Sequence, residues 1–140
     1  MTPLDLKLNQ ILNIVPSKNP EFIFSLAFHD NLLNHFGGFH AAVIFSLAEA
    51  TSAQFLLQNF EEFKDEFIPL LRGTATKYKI PAFSAIYAKA KFKNTTKDEI
   101  VMDLNNKKRS LLTLITEIVD ESNQLIFAGE FEWFLTLKTK

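Results

Sequence analysis

The sequence predicts an α+β protein in which one long helix is enclosed by a curved, mostly antiparallel sheet. Two observations carry that expectation. Residues 40–57 are rich in Ala and Leu, hold neither Gly nor Pro, and are apolar nearly all round, which marks a buried helix. Beyond Pro69 the period changes to two, and four runs alternate in the manner of strands. A buried helix followed by strands leaves little apolar surface in water if the sheet curls around it. At 140 residues the chain is read as a single domain over 1–140.

Thr2, Pro3 and Asp5 have the composition of a helix start, with Thr2 as N-cap and Pro3 at the first helical position. Leu4, Leu8, Ile11, Leu12 and Val15 follow at helical spacing, so an amphipathic helix is expected over about 3–14, stopping before Pro16. Residues 21–29 alternate Phe22, Phe24, Leu26 and Phe28 with smaller or polar neighbours and predict a strand. Residues 30–39 read as a loop around Gly37-Gly38. In the long helix, Ala41, Ala42, Ala48, Ala50 and Ala53 would let other backbone approach closely. Phe60, Phe63 and Phe67 continue a helical spacing through an acidic stretch. Strands are expected over 70–79, 84–93, 110–120 and 125–137, with Ser122-Asn123 turning the last hairpin and a short helix capped by Thr96 over 97–106.

Composition excludes several chemistries. Fifteen Lys and Arg against sixteen Asp and Glu leave a net charge of −1, so there is no global field to hold nucleic acid or an anionic membrane. The absence of Cys removes disulfides, Cys-ligated zinc, thiol nucleophiles and iron–sulfur clusters. Asp5 and Lys7 interrupt the first apolar stretch, unlike a secretory leader. The longest charge-free run, 31–48, contains Asn34, His35, Gly37, Gly38 and His40, too polar for a bilayer span. The expectation is a cytoplasmic protein with no nucleic acid or membrane partner. Its sheet edge or outer face would be covered in a dimer.

Between Ala41 and Leu57 the single ionisable side chain is Glu49, and Ala42, Phe45, Ser46, Ser52, Ala53 and Leu56 share its helical face. Such a carboxylate either opens to water at the sheet edge or sits desolvated, where its pKa rises and it becomes a candidate base or nucleophile. Asn34, His35, Gly37, Gly38 and His40 lie just before the helix N-terminus, where unpaired N–H groups and the dipole favour an oxyanion. The alternative is an ordinary polar loop, with glycine at positive φ and His40 as helix cap.

Together these residues carry a resemblance. The stretch Asn34-His-Phe-Gly37-Gly38-Phe-His40-Ala41-Ala42, followed by Leu47-Ala48-Glu49, resembles the Asn-x-x-Gly-x-x-His-Gly-Gly and Leu-Ala-Asp/Glu signature of hotdog-fold acyl-CoA thioesterases of the phenylacetate-pathway type. Tyr78-Lys-Ile-Pro81-Ala resembles the strand exit of that family, and Lys108-Arg109-Ser110 its basic strand entry. Ala41-Ala42 replaces the usual Gly-Gly, as in a less characterised branch that pairs Ala here with Glu on the helix. Leu71 stands where some members have a helper Ser or Thr, with Thr74 and Thr76 as neighbours.

The resemblance implies a hotdog fold and hydrolysis of an acyl-CoA or related thioester at the interface of a homodimer, or of a tetramer. Backbone N–H groups of Ala41 and Ala42 would hold the oxyanion. Asn34 and His40 would belong to the catalytic loop, Asn34 positioning the thioester or water, and Glu49 of the facing subunit would be base or nucleophile. Gly37, Gly38, Phe45, Tyr78 and Pro81 would line the substrate. Lys107, Lys108 and Arg109 would hold CoA phosphates, with Arg72, Lys77 and Lys79 as a second set. No cofactor is implied beyond the CoA of the substrate, and three His without paired-ligand spacing argue against a metal. Two other readings are weaker. His35-Phe36 with Glu49 echoes the hydroxyacyl-thioester dehydratases of the same superfamily, and a non-catalytic acyl-CoA binding module would use the same pocket.

Overall fold

A computed structural model describes residues 2–138. Its strands are β1 (Val15–Pro16), β2 (Phe24–Leu26), β3 (Phe67–Tyr78), β4 (Ile86–Phe92), β5 (Arg109–Asp120) and β6 (Leu125–Leu137). They form one six-stranded antiparallel sheet in the order β1-β2-β4-β5-β6-β3, leaving β1 and β3 at the edges. Helix α2 (Ala41–Asn59) is the central element around which the sheet curves. The helices α1 (Lys7–Ile11) and α3 (Lys97–Lys107) are peripheral. The hotdog arrangement expected from the sequence is therefore present.

Alternation decides which side chains meet α2. Along β5, Leu112, Leu114, Thr116 and Ile118 are buried while the residues between them are not. On β6 the buried large side chains are Ile126, Phe127, Phe131, Trp133 and Leu135, which join Leu47 and Leu56 of the helix in one continuous core. Gly129 makes this layer possible, because a Cβ there would lie 2.9 Å from the rings of both Phe127 and Phe131. By length and hydropathy α2 could cross a membrane, but here it is the core helix beneath the sheet. The β5–β6 hairpin is turned as expected at Ser122-Asn123, with Asn123 at positive φ and the Asp120 carboxylate accepting from the N–H groups of Ser122 and Gln124.

Three segments depart from the sequence expectation. The helix expected over 3–14 is broken: a 3-10 turn at Pro3–Asp5 is separated from α1 by Leu6, whose backbone is extended. Thr2 contributes its N–H to the Asp5 carboxylate. The expected apolar face also fails, since Leu8 and Ile11 are exposed and Asn9 is buried, its amide donating to the Pro3 carbonyl at 2.8 Å. The strand expected over 21–29 contracts to Phe24–Leu26, although Phe22, Phe24 and Leu26 are all buried. Strand β3 begins at Phe67 and runs through Pro69. On an edge strand the missing N–H of proline leaves no ladder bond unmade. Of the acidic stretch, Glu61–Phe63 keeps one 3-10 turn.

Candidate active site

Glu49 lies near the middle of α2 and lines a groove of about 600 Å³ between that helix, strand β3 and the N-terminal segment. Ala50, Ala53, Phe67, Leu71 and Trp133 are among the residues of its apolar wall, and Asn9, Lys64 and Lys138 are polar members of the lining. Among the described residues no side chain hydrogen-bonds or ion-pairs with the Glu49 carboxylate. Burial alone pushes its pKa above the ordinary carboxylate range. The two hydroxyls expected on its face are committed elsewhere: Ser46 Oγ donates to the Ala42 carbonyl at 2.9 Å and Ser52 Oγ to the Glu49 carbonyl at 2.8 Å. Ser52 also accepts from Trp133 Nε1 at 3.1 Å, so a buried chain of bonds ties β6 to the Glu49 backbone. Glu49 is thus half-buried on the groove wall, between the open and the desolvated alternatives.

The loop before α2 is organised by Asn34. Its side-chain oxygen accepts from the N–H groups of Phe36 at 2.9 Å and Gly38 at 3.2 Å, while its amide reaches the Phe39 carbonyl at 3.5 Å. Gly37 has φ +84°, a conformation that glycine adopts without strain. Gly38 is packed so closely that an added Cβ would lie 3.1 Å from the Ala82 carbonyl oxygen, just after Pro81. The same carbonyl accepts from Phe39 N–H at 3.0 Å, which fixes the loop against the exit of β3.

His40 is the helix N-cap, its Nδ1 accepting from Ala42 N–H at 3.0 Å. This engages one of the two expected oxyanion donors. The Ala41 N–H has no acceptor among the described residues and sits at the exposed start of α2, where the helix dipole is positive. The Tyr78 hydroxyl donates to the Ala41 carbonyl at 3.2 Å, and burial raises its pKa above the usual phenol value. His35 is exposed and lies against Phe36, the rings tilted by 43° with centroids 4.0 Å apart. Phe45 packs on Phe131 of the core.

Residues 19–135 match the family model described as a domain of unknown function, DUF4442. The chain belongs to the DUF4442 family. No curated protein sequence matches it. Among solved structures, this DUF4442 domain is similar to PA5026 of Pseudomonas aeruginosa, a protein of unknown function given as a probable thioesterase (TM-score 0.79, 17% identity, 95% of this chain and 89% of that one). It is also similar to the thioesterase HI1161 of Haemophilus influenzae (TM-score 0.74, 15% identity, 98% and 87%). A third is BH2602 of Bacillus halodurans, solved with CoA (TM-score 0.69, 13% identity, 91% and 77%). At these identities the likeness shows the hotdog fold.

Within the DUF4442 domain Lys107, Lys108 and Arg109 lie at one end of the sheet and Lys77 and Lys79 at the other, so Arg72, nearer the first group, is divided from the set it was expected to join. Lys107, Lys108 and Arg109 join α3 to β5, where the Lys108 carbonyl accepts from Leu137 N–H and Arg109 lies opposite Thr136. Lys107 pairs with Asp103 at 3.6 Å, and Lys108 Nζ donates to the Asn105 carbonyl. This is the Phe67 end of β3, because Phe67 lies opposite Leu137. Lys77 and Lys79 flank Tyr78 at the other end, beside the start of α2, and Arg72 lies over the Phe134 ring at 4.7 Å. Among the described residues no three His, Asp or Glu side chains gather as a metal site requires. Sequence reasoning missed Asn9, Lys64, Lys138 and Trp133 at the groove. No local pattern marks them, since they arrive from distant elements.

Proposed function

We propose that this protein hydrolyses acyl-CoA thioesters at a site shared by two copies of the chain. The observation that carries this reading is the half-buried Glu49, without a side-chain partner among the described residues, facing a largely apolar groove in a helix whose start offers an Ala41 N–H with no acceptor among those residues. Ala41 and Glu49 are eight residues apart on one helix, so about 12 Å separates them along its axis. Donor and base of one chain therefore cannot bracket the same carbonyl carbon, which needs both at near-contact distance.

A second copy resolves the mismatch. Strand β3 is an open edge of twelve residues, available for antiparallel pairing with itself. If that pairing is centred near Thr74, Tyr78 of one copy lies across from Leu70 of the other. Tyr78 is bonded to Ala41, and Leu70 lines the groove of Glu49. In this arrangement the N–H of Ala41 polarises the thioester carbonyl, and Glu49 of the facing copy removes the proton of an attacking water or attacks the carbonyl carbon itself. CoA leaves as the thiol. The likeness to a structure solved with CoA supports the choice of thioester.

The test is thiol release from a panel of acyl-CoA esters, with Glu49→Gln as the comparison. Loss of a general base predicts a fall of about 10²-fold or more. No release by the native protein, or equal release by Glu49→Gln, rejects the reading.

A further inference from the structure

Glu49, Ala53 and Leu57 are spaced at i, i+4 and i+8 on α2, and all three line the groove. The stripe is about 12 Å long from Glu49 to Leu57, and Ala53 keeps its middle low. Beyond Leu57 lies a second groove of about 330 Å³, and the two have Thr2, Leu57 and Lys64 as common walls. Those three residues form a partition. On its near side the lining is mainly apolar, with Ala53, Phe67, Leu71 and Trp133 beside the polar Asn9 and Lys138; on its far side it is Gln54, Gln58, Glu61 and Asp65. Its Thr2 member is pinned, because Thr2 N–H donates to the Asp5 carboxylate at 2.7 Å and the buried Asn9 amide holds the Pro3 carbonyl.

We propose that this groove measures a straight aliphatic acyl chain of about eight to ten carbons, since C–C bonds of ~1.5 Å advance an extended chain roughly 1.3 Å per carbon along the 12 Å stripe. The proposal rests on the hydrolase reading, which puts the thioester carbonyl at Glu49 and therefore the methyl end at Leu57. A longer chain would have to displace Thr2 or carry its end among carboxylates and amides, where apolar burial is lost.

The experiment is kcat/KM across saturated straight-chain acyl-CoA esters from two to sixteen carbons, with phenylacetyl-CoA as the compact alternative. The native enzyme should gain about four-fold per added carbon until the groove is full, then level off or fall. Ala53→Leu, which places its extra atoms in the open groove, should move the optimum at least two carbons shorter. Leu57→Ala should move it at least two carbons longer. An optimum that Ala53→Leu leaves in place, or a native preference for acetyl or phenylacetyl, overturns the proposal; Ala53→Leu alone decides it if Leu57→Ala does not fold. If no ester is hydrolysed, the hydrolase reading fails separately, and Kd values of thioether analogues across the same lengths then decide the ruler. A length optimum in Kd supports it, and a flat series overturns it.

Discussion

The Tyr78 hydroxyl at the end of β3 donates to the Ala41 carbonyl at the start of α2, across 37 residues of chain. That carbonyl belongs to the same peptide unit as the Ala42 N–H, which in turn donates to His40 Nδ1. Phenol, peptide and imidazole thus form one polarised series, in which each bond strengthens the next. The series holds the first turn of α2 at a fixed angle to the sheet edge.

Tyr78→Phe should keep the edge-to-face contact with Phe127 but remove the hydroxyl. The expected outcome is a fall in kcat of about ten-fold with KM little changed, the mark of a group that positions a transition-state donor. Stability should drop by no more than about 1 kcal/mol, the net worth of one hydrogen bond. Steady-state kinetics with thermal melts checks both.

Glu49 sets a pH dependence whose sign is fixed by burial. Its folded pKa lies above the unfolded value, so between the two the native state binds more protons than the unfolded one, and stability falls as pH rises through that window. Glu49→Gln should abolish this fall. At neutral pH the variant should melt higher than the native protein, and the difference should vanish below the unfolded carboxylate pKa. Hydrolysis runs the other way, gaining as Glu49 ionises, with its acidic limb above the ordinary carboxylate range. Melts and rates over the same pH series test the pair.

Replacing Lys107, Lys108 and Arg109 together should raise KM for acyl-CoA esters more than for the matching pantetheine esters, if they hold the nucleotide phosphates. Added salt should reproduce part of the effect on CoA esters alone, because exposed charges are screened within about 10 Å at 0.1 M. Equal losses on both substrates would assign the cluster to the Asp103 and Asn105 contacts already present.

Gly129→Ala should destabilise the fold by about 1–3 kcal/mol, the usual cost of forcing atoms into a packed core. The new methyl would meet two aromatic rings at 2.9 Å. Denaturant unfolding reads this directly.

The central strands and the main helix were legible in the sequence because periodicity and burial agree there. Residues 125–137 were expected as a strand and β6 is Leu125–Leu137; residues 40–57 were expected as a helix and α2 is Ala41–Asn59. The N-terminal helix was misread because apolar spacing reports a face only when something packs on it. Leu8 and Ile11 meet no core here, and the buried position goes to Asn9, whose polar side chain has a partner in the Pro3 carbonyl. Pro69 was read as a boundary, although an edge strand tolerates it. At the site, local sequence picked out Glu49 and the Asn34 loop. The alternative reading of His40 as helix cap is the one realised in its bond to the Ala42 N–H, whereas the anchoring of the Glu49 backbone by Trp133 through Ser52 left no mark in the local sequence. That anchoring follows from the meeting of helix and sheet.

The two edges of the sheet are very unequal. Strand β1 offers two residues, the second a proline, whereas β3 offers twelve. Indefinite growth of stacked strands requires a donor edge and an acceptor edge on every molecule. Here one side is too short to propagate anything, so a contact made along β3 consumes the usable edge of both participants at once. A chain with 15 Phe and a long exposed strand has the ingredients of a fibre. Its sheet instead has a built-in terminator, and strand addition can proceed one step and then stop.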